Sequence, residues 1–253
     1  MRFAALGSGS GGNAWLVESD GTRVLIDCGF GPREAIRRLG RLSISPEDVR
    51  ALLVTHEHAD HVGGAAACVR RFGWQLRLTA GTRAGARADP ELAAAATISG
   101  QQPFAIDGLR VSPFTVPHDA REPVQFVIDD GKVRIAILTD AGHVTAHMVD
   151  MLDGCDAVVL ECNHDLGMLA RGKYPPALKR RIGGAWGHLD NEAAATLLAR
   201  IDRGRLRHVV AAHLSAENNH PDLARNALAN AMGCAPSWIA VADQEEGLSW
   251  RDV

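Results

Sequence analysis

The sequence predicts an α/β fold in one domain, and three observations carry that reading. Short apolar runs of strand length alternate with segments of helical period along the whole chain. The 253 residues exceed an average domain, yet two-sheet architectures reach this size around a single core. No internal repeat, low-complexity linker or charge block divides residues 1–253, so they are read as one unit.

Residues 3–6, 15–17 and 23–26 read as three short strands, the first two joined by Gly7-Ser8-Gly9-Ser10-Gly11-Gly12-Asn13. That loop can bring backbone amides to an anion or serve as a flexible turn, and it lacks the G-x-x-x-x-G-K-[ST] spacing of a nucleotide P-loop. Asp27-Cys28-Gly29 closes the third strand, and 32–39 reads as a helix with Pro32 in its first turn and Gly40 at its end. The apolar run 51–54 is a buried strand that delivers Thr55-His56-Glu57-His58-Ala59-Asp60-His61. Between His61 and Arg71, Val62, Ala65, Ala66 and Val69 recur at helical spacing, so the cluster sits between a strand end and a helix start.

The Ala-rich stretch 80–96 reads as a helix interrupted at Pro90. Residues 109–116 read as a strand, edge or bulged at Pro113, ending at Pro117-His118-Asp119. The strands 125–128 and 132–138 flank Asp129-Asp130-Gly131, the clearest hairpin signal in the chain, and run into Thr139-Asp140-Ala141-Gly142. A helix over 144–152 precedes a buried strand over 157–160, which leads to Glu161-Cys162-Asn163-His164-Asp165. A helix over 191–201, capped by Asp190 or Asn191, has Gly204 shortly after its end. A strand over 208–212 delivers His213-Leu214-Ser215, and a helix over 221–232 and a strand over 238–242 complete the chain.

Composition narrows the class of protein. An apolar fraction of 46% with 23% charged residues is that of an ordinary globular chain, and 5% aromatic residues imply a core of Ala, Val, Leu and Ile. No run of 18 apolar residues exists, and the apolar start ends at Gly7, so neither a membrane span nor a signal peptide is expected. Five scattered cysteines without a C-x-x-C pair are expected to be reduced thiols in a cytoplasm. A net charge of −3 neither advertises nor excludes nucleic acid, because one basic face can hide inside a near-neutral total.

Metal-capable residues stand at the ends of apolar strands five times, at His56 to His61, His118, Asp140, His164 and His213. A lone histidine after a strand is more often structural than ligating. H-x-H-x-D-H is different, because burying three imidazoles and a carboxylate without partners or metal would cost at least several kcal/mol. His143 and His147 also lie near Asp140 in sequence and stay open as ligands.

The order of these motifs resembles the metallo-β-lactamase fold hydrolases. That resemblance implies an αββα sandwich, two mixed sheets faced by helices. It implies that His56, His58 and His118 hold one metal, that Asp60, His61 and His213 hold the other, and that Asp140 bridges them. Two divalent ions are expected, and mixed imidazole and carboxylate ligation admits Zn, Mn or Fe.

A narrower resemblance spans nearly the whole chain. The Gly7 to Asn13 loop, Glu161-Cys162-Asn163-His164-Asp165, Gly187-His188-Leu189-Asp190-Asn191 and His213-Leu214-Ser215-Ala216-Glu217-Asn218-Asn219 are similar to the YycJ/WalJ-like branch, which is associated with DNA exonuclease activity. Asp190 departs from the Ser expected there, and Cys162 stands where a small or polar residue is common. Two cations roughly 3.5–4 Å apart can clamp a phosphoryl oxygen and acidify a water, which suits hydrolysis of a phosphodiester.

Asp60 can orient the attacking water as well as ligate, and His164 or His188 can either protonate the departing oxygen or act as a structural hydrogen-bonding group. Asn163, Ser215, Asn218 and Asn219 are candidate substrate contacts, the last three equally able to satisfy the turn before Pro221. Arg171, Lys173, Lys179, Arg180 and Arg181 can meet a phosphate backbone or form a solvated face. The expected activity is therefore a DNA exonuclease acting on nucleic acid away from membranes. The alternatives are a hydrolase of a small ester, thioester, lactone or cyclic phosphodiester, or a metal-binding regulatory protein that has lost catalysis.

Overall fold

The computed structural model describes residues 1–253. In chain order the first half forms β1 (Arg2–Gly7), β2 (Ala14–Ser19), β3 (Thr22–Ile26), α1 (Pro32–Arg41), β4 (Ala51–Leu53), α2 (Ala59–Val62), α3 (Ala65–Phe72), β5 (Gln75–Thr79), α4 (Ala80–Gly85), α5 (Pro90–Ala94) and β6 (Ala96–Ile98). There follow β7 (Phe104–Ile106), β8 (Leu109–Thr115), β9 (Val124–Asp129), β10 (Arg134–Leu138), α6 (Ala146–Leu152), β11 (Ala157–Glu161), α7 (Leu166–Arg171), α8 (Pro176–Ile182), α9 (Asn191–Arg200), β12 (His208–Ala212), α10 (Pro221–Met232), β13 (Ala240–Val241) and β14 (Leu248–Asp252).

Two seven-stranded sheets result, ordered β14-β1-β2-β3-β4-β5-β6 and β13-β12-β11-β10-β9-β8-β7. Successive side chains of a strand point to opposite faces, and here both faces are covered. Phe3, Trp15, Val17, Val24, Ile26 and Leu53 meet Val111, Phe126, Ile128, Ile135, Ile137, Val159 and Val210 in one core between the sheets. The alternate residues Leu6, Leu16, Leu25, Leu52 and Leu78 pack outward with Ala35 and Leu39 of α1 and Cys68 of α3. On the other side Leu138, Val158, Leu160 and Ala211 pack with residues of α6, α9 and α10. The layers are helix, sheet, sheet, helix, the αββα sandwich expected from the sequence.

Strand direction positions the site. In the first sheet β3, β4, β5 and β6 are mutually parallel, and β1 runs with β3 because each is antiparallel to β2. In the second sheet β10, β11, β12 and β13 are parallel, and β8 runs with β10 because each is antiparallel to β9. Each sheet thus sends several strand ends to one edge, where ligands of such folds gather. His213 on the second sheet donates its backbone N–H to Ser8 Oγ at 2.9 Å, tying that edge to the first sheet's glycine loop.

Several elements differ from the sequence reading. The expected helix over 61–71 is two helices, because Gly64 packs against the Phe30 carbonyl so closely that a Cβ there would collide with it. The 80–96 stretch breaks into α4 and α5, with Pro90 as the first residue of the second, and β6 follows. Helix α1 continues through Gly40 to Arg41. Pro113 lies beyond the residues of β8 that pair with β7, so the strand is a local edge there. Of the expected last strand only Ala240–Val241 forms, and β14 follows it. Asp190 is the cap of α9, its carboxylate accepting from the N–H groups of Glu192 and Ala193, a task Ser performs equally. No helix is long and apolar enough to cross a membrane.

Candidate metal centre

Strand β4 ends one turn before α2, and that spacing concentrates donors. His58 caps α2, and its carbonyl accepts from His61 N and Val62 N, so Asp60 and His61 return toward His56. The His56 ring centroid lies 4.2 Å from that of His61, 4.6 Å from His58 and 4.9 Å from His118. Donor atoms fall within 4.8 Å of one another in four overlapping groups. One is His56, His58 and His118, and another is Asp60, His61 and His213. Asp140 joins His56 and His61 in a third group, and Glu161, His188 and His213 in a fourth. Asp140 also lies 3.1 Å from His61 Nε2 and 3.7 Å from His118 Nε2, between the first two groups.

Each central imidazole is oriented through its other nitrogen. His61 Nδ1 donates to Asp27 Oδ2 at 2.7 Å, His118 Nδ1 donates to the Gly187 carbonyl at 2.9 Å, and His213 Nδ1 donates to Glu161 Oε1 at 3.0 Å. His56 Nδ1 lies 2.9 Å from Thr55 Oγ1, which also reaches Asp27 at 2.8 Å. Such contacts fix tautomer and ring orientation in metal sites and leave Nε2 for the ion. His58 is turned the other way, with Nδ1 3.2 Å from His118 Nε2 and Nε2 3.5 Å from Asp119.

The donor set fits divalent cations. His56 Nε2 and Asp140 Oδ2 are buried without a hydrogen-bond partner, the latter facing His61 without hydrogen-bond alignment. An orphaned buried polar atom costs about 1–3 kcal/mol, and a shared cation satisfies both.

Electrostatics point the same way. Burial opposes charge on His213, yet Asp140, Asp60 and Glu161 outweigh it and raise its pKa to about 10. His61 is raised in the same manner, against burial, by Asp140 and Asp27. Burial opposes ionisation of Asp140, but the imidazoles of His213 and His61 hold its carboxyl well below the usual range. Asp60 is likewise lowered, its burial outweighed by hydrogen bonds from His213 and His61. His56 is the exception, driven down by burial and by neighbouring His61. The carboxylates thus demand positive charge, which protons or metal ions can supply.

A cleft of about 400 Å³ opens over the cluster. Asp60, Asp140, His188 and His213 line its floor, with Asn163 and Ser215 beside them, and Tyr174, Leu178, Arg181 and Ile182 form a facing wall. His188 Nδ1 donates to Glu161 Oε1 at 2.7 Å, and although burial opposes it, Glu161 raises the His188 pKa. Asn163 donates to the His213 carbonyl at 3.1 Å and accepts from Ser215 N at 2.8 Å.

Three candidates stand away from the cleft. His164 is buried and neither ring nitrogen has a partner, but it does not line the cleft. The Asn218 amide contacts Ser215 Oγ, and its carbonyl accepts from Asp165 N. Asn219 pairs with the Asn191 amide and donates to the Cys162 carbonyl. These contacts of both asparagines are with neighbouring loops. His143 bonds the Ala185 carbonyl and His147 packs near Phe114, so neither joins a donor group.

Sequence reasoning missed Asp27, Glu161 and Asn13 as parts of the site. Glu161 ends an otherwise apolar strand and accepts from Ala141 N and Leu189 N besides two imidazoles, and that buried carboxylate was the available signal. Asn13 reaches Asp60 Oδ2 at 3.3 Å and holds the glycine loop through Gly9. A Cβ at Gly29 would collide with the Asp60 carbonyl, so a glycine is required beside the cluster.

Comparison with known proteins agrees with this architecture. Residues 22–213 match the family described as Beta-lactamase superfamily domain. The chain is 34% identical over 235 residues to Exodeoxyribonuclease YycJ of Bacillus anthracis, covering 89% of this chain and 86% of that one. It is 31% identical over 249 residues to Exodeoxyribonuclease WalJ of Streptococcus pneumoniae serotype 2, covering 95% and 91%. Among solved structures, Zn(2+)-bound PqqB from Methylobacterium extorquens superimposes with a TM-score of 0.75 at 20% identity over 100% of both chains, a likeness of fold.

Proposed function

The chain belongs to the metallo-β-lactamase superfamily, in its YycJ/WalJ-like branch, and from that premise we propose that it is an exodeoxyribonuclease using two divalent ions. It is a metal-dependent hydrolase of the nuclease type; the number of ions, the DNA substrate and the residue roles are our reading. The observation that carries it is Asp140, which forms a donor group with His56 and His61, one histidine from each of the two three-residue groups, and whose Oδ2, like the neighbouring His56 Nε2, is buried and unpartnered. The exodeoxyribonuclease names of two relatives that span most of the chain support the substrate.

In this reading His56, His58 and His118 would hold one ion, Asp60, His61 and His213 the other, and Asp140 would serve both. When bound, the ions supply Lewis-acid charge to the phosphoryl oxygens and acidify water. Asp60, partly open to the cleft and held by Asn13, orients the attacking water. His188, whose protonated form the Glu161 carboxylate favours, donates to the departing oxygen. Asn163 and Ser215 contact substrate, whereas His164, Asn218 and Asn219 support the loops beneath. The same reading treats residues 1–253 as one domain, supported by the core both sheets share.

The test is a cleavage assay on labelled single- and double-stranded DNA with added manganese or zinc. Release of nucleotides from an end is expected. Intact DNA together with turnover of a small ester or cyclic phosphodiester would replace this reading with that of a small-molecule hydrolase.

A further inference from the structure

Residues 166–187 carry Arg171, Lys173, Lys179, Arg180 and Arg181 and not one Asp or Glu, in a chain whose net charge is −3. This segment is the wall of the cleft. It holds the chain's single tyrosine, Tyr174, among the lining residues, and α8 buries none of its side chains. Its basic groups are unequally engaged: Arg181 pairs with Asp119 at 2.6 Å and Lys173 with Glu217 at 2.9 Å, while Arg180 has no carboxylate partner and Lys179 meets only the Ala170 carbonyl.

At its end stands Trp186, 62% exposed, the most exposed large apolar side chain of the molecule. Its backbone is held firmly. Ala185 and Gly187 lie against Gly142, His188 N donates to the Ile182 carbonyl, and the next carbonyl, that of Gly187, orients His118. The indole therefore sits on a braced backbone one residue from Gly187 of the cleft lining, with the His143 ring perpendicular to it at a centroid distance of 6.5 Å.

We propose that residues 166–187 are the track for an unpaired nucleic acid strand entering the cleft. Trp186 stacks a base at the rim, and Lys179 and Arg180 meet phosphates along α8. This rests on the nuclease reading above and adds to it the form of the substrate. An exposed indole on a braced backbone, in the same segment as uncompensated cations, matches what a single strand offers, a free base face and a phosphate every nucleotide. The bases of a paired duplex are stacked on one another and have no free face to give.

The test measures binding of a labelled phosphorothioate oligothymidylate, which resists cleavage, to the metal-loaded protein by fluorescence anisotropy. Trp186→Ala is expected to weaken binding about tenfold or more, and Trp186→Phe to restore most of it. Lys179→Ala and Arg180→Ala should each reduce the slope of log affinity against log salt by about 0.7. A blunt duplex should bind more weakly than the strand. Unchanged binding by Trp186→Ala, or an equal loss of turnover of bis(4-nitrophenyl) phosphate, would overturn the proposal, since the second result makes Trp186 a brace for His118. The two readings separate: uncut natural DNA with Trp186-dependent strand binding defeats the nuclease and keeps the track, while cleavage with Trp186-independent binding does the reverse.

Discussion

Asp27 Oδ2 accepts a hydrogen bond from His61 Nδ1 at 2.7 Å across 34 residues of sequence, from a backbone held at φ +62°. Both side chains are buried, and Thr55 gives the same carboxylate its N–H and its hydroxyl. A non-glycine residue in the left-handed region is uncommon and stays there only when its surroundings hold it. Asp27→Asn is expected to lower metal affinity about 10- to 100-fold, as loss of a carboxylate behind a metal-binding histidine does. Titration calorimetry with zinc or manganese checks it, and parent-like affinity would remove Asp27 from the site.

The donor groups make a selective prediction about metal content. His118→Ala and His213→Ala should each lose metal on elemental analysis, and His143→Ala should keep the parent's amount, because His143 belongs to no donor group. A His213→Ala variant with full metal content would put the second group in error.

For the metal-free protein the pKa of His213 gives a pH dependence with a definite sign. Its folded value of about 10 exceeds the ordinary value of 6.5, so the stabilisation it provides is complete below pH 6.5 and is lost as pH rises through 10. Thermal melts of chelator-treated protein should fall between those limits by more in the parent than in His213→Gln. Equal falls would show that another group carries the effect. Metal should bind more tightly as pH rises over the same window, because it competes with that proton.

The proposed assignment gives neither ion to His188 although it lies in the fourth donor group, so His188→Gln should retain metal while kcat for DNA falls by roughly 10²- to 10⁴-fold, the range for loss of a positioned acid. Glu161→Gln should lower both, since Glu161 also orients His213. If His188→Gln cleaved DNA at the parent rate, the proton donor would lie elsewhere.

Much of the site was legible in the residue order because its densest part is local. Two histidines two residues apart, with an acid and a third histidine within the following turn, are recognisable wherever that turn folds, and His118, Asp140 and His213 each follow an apolar run that marks a strand end. The layered fold was legible for a related reason: runs apolar on both faces are strands covered on both sides. Short strands such as β6 and β7 were not, since three residues carry too little pattern, and the helix breaks at Gly63-Gly64 depend on how closely Phe30 approaches.

Which histidine faces the cleft could not be read from neighbours in the chain. His164 and His188 both follow plausible motifs, yet His188 lines the cleft and meets Glu161, while His164 is buried and does not line it. The roles of Asp27 and Glu161 arise from contacts 34 and 52 residues distant, made when parallel strands bring their ends to one edge. The residue types and their order thus specify the chemistry available, a cluster of imidazoles and carboxylates. Long-range strand pairing selects which of them share an ion, because donor atoms a few ångströms apart come from chain segments that meet only when both sheets have formed.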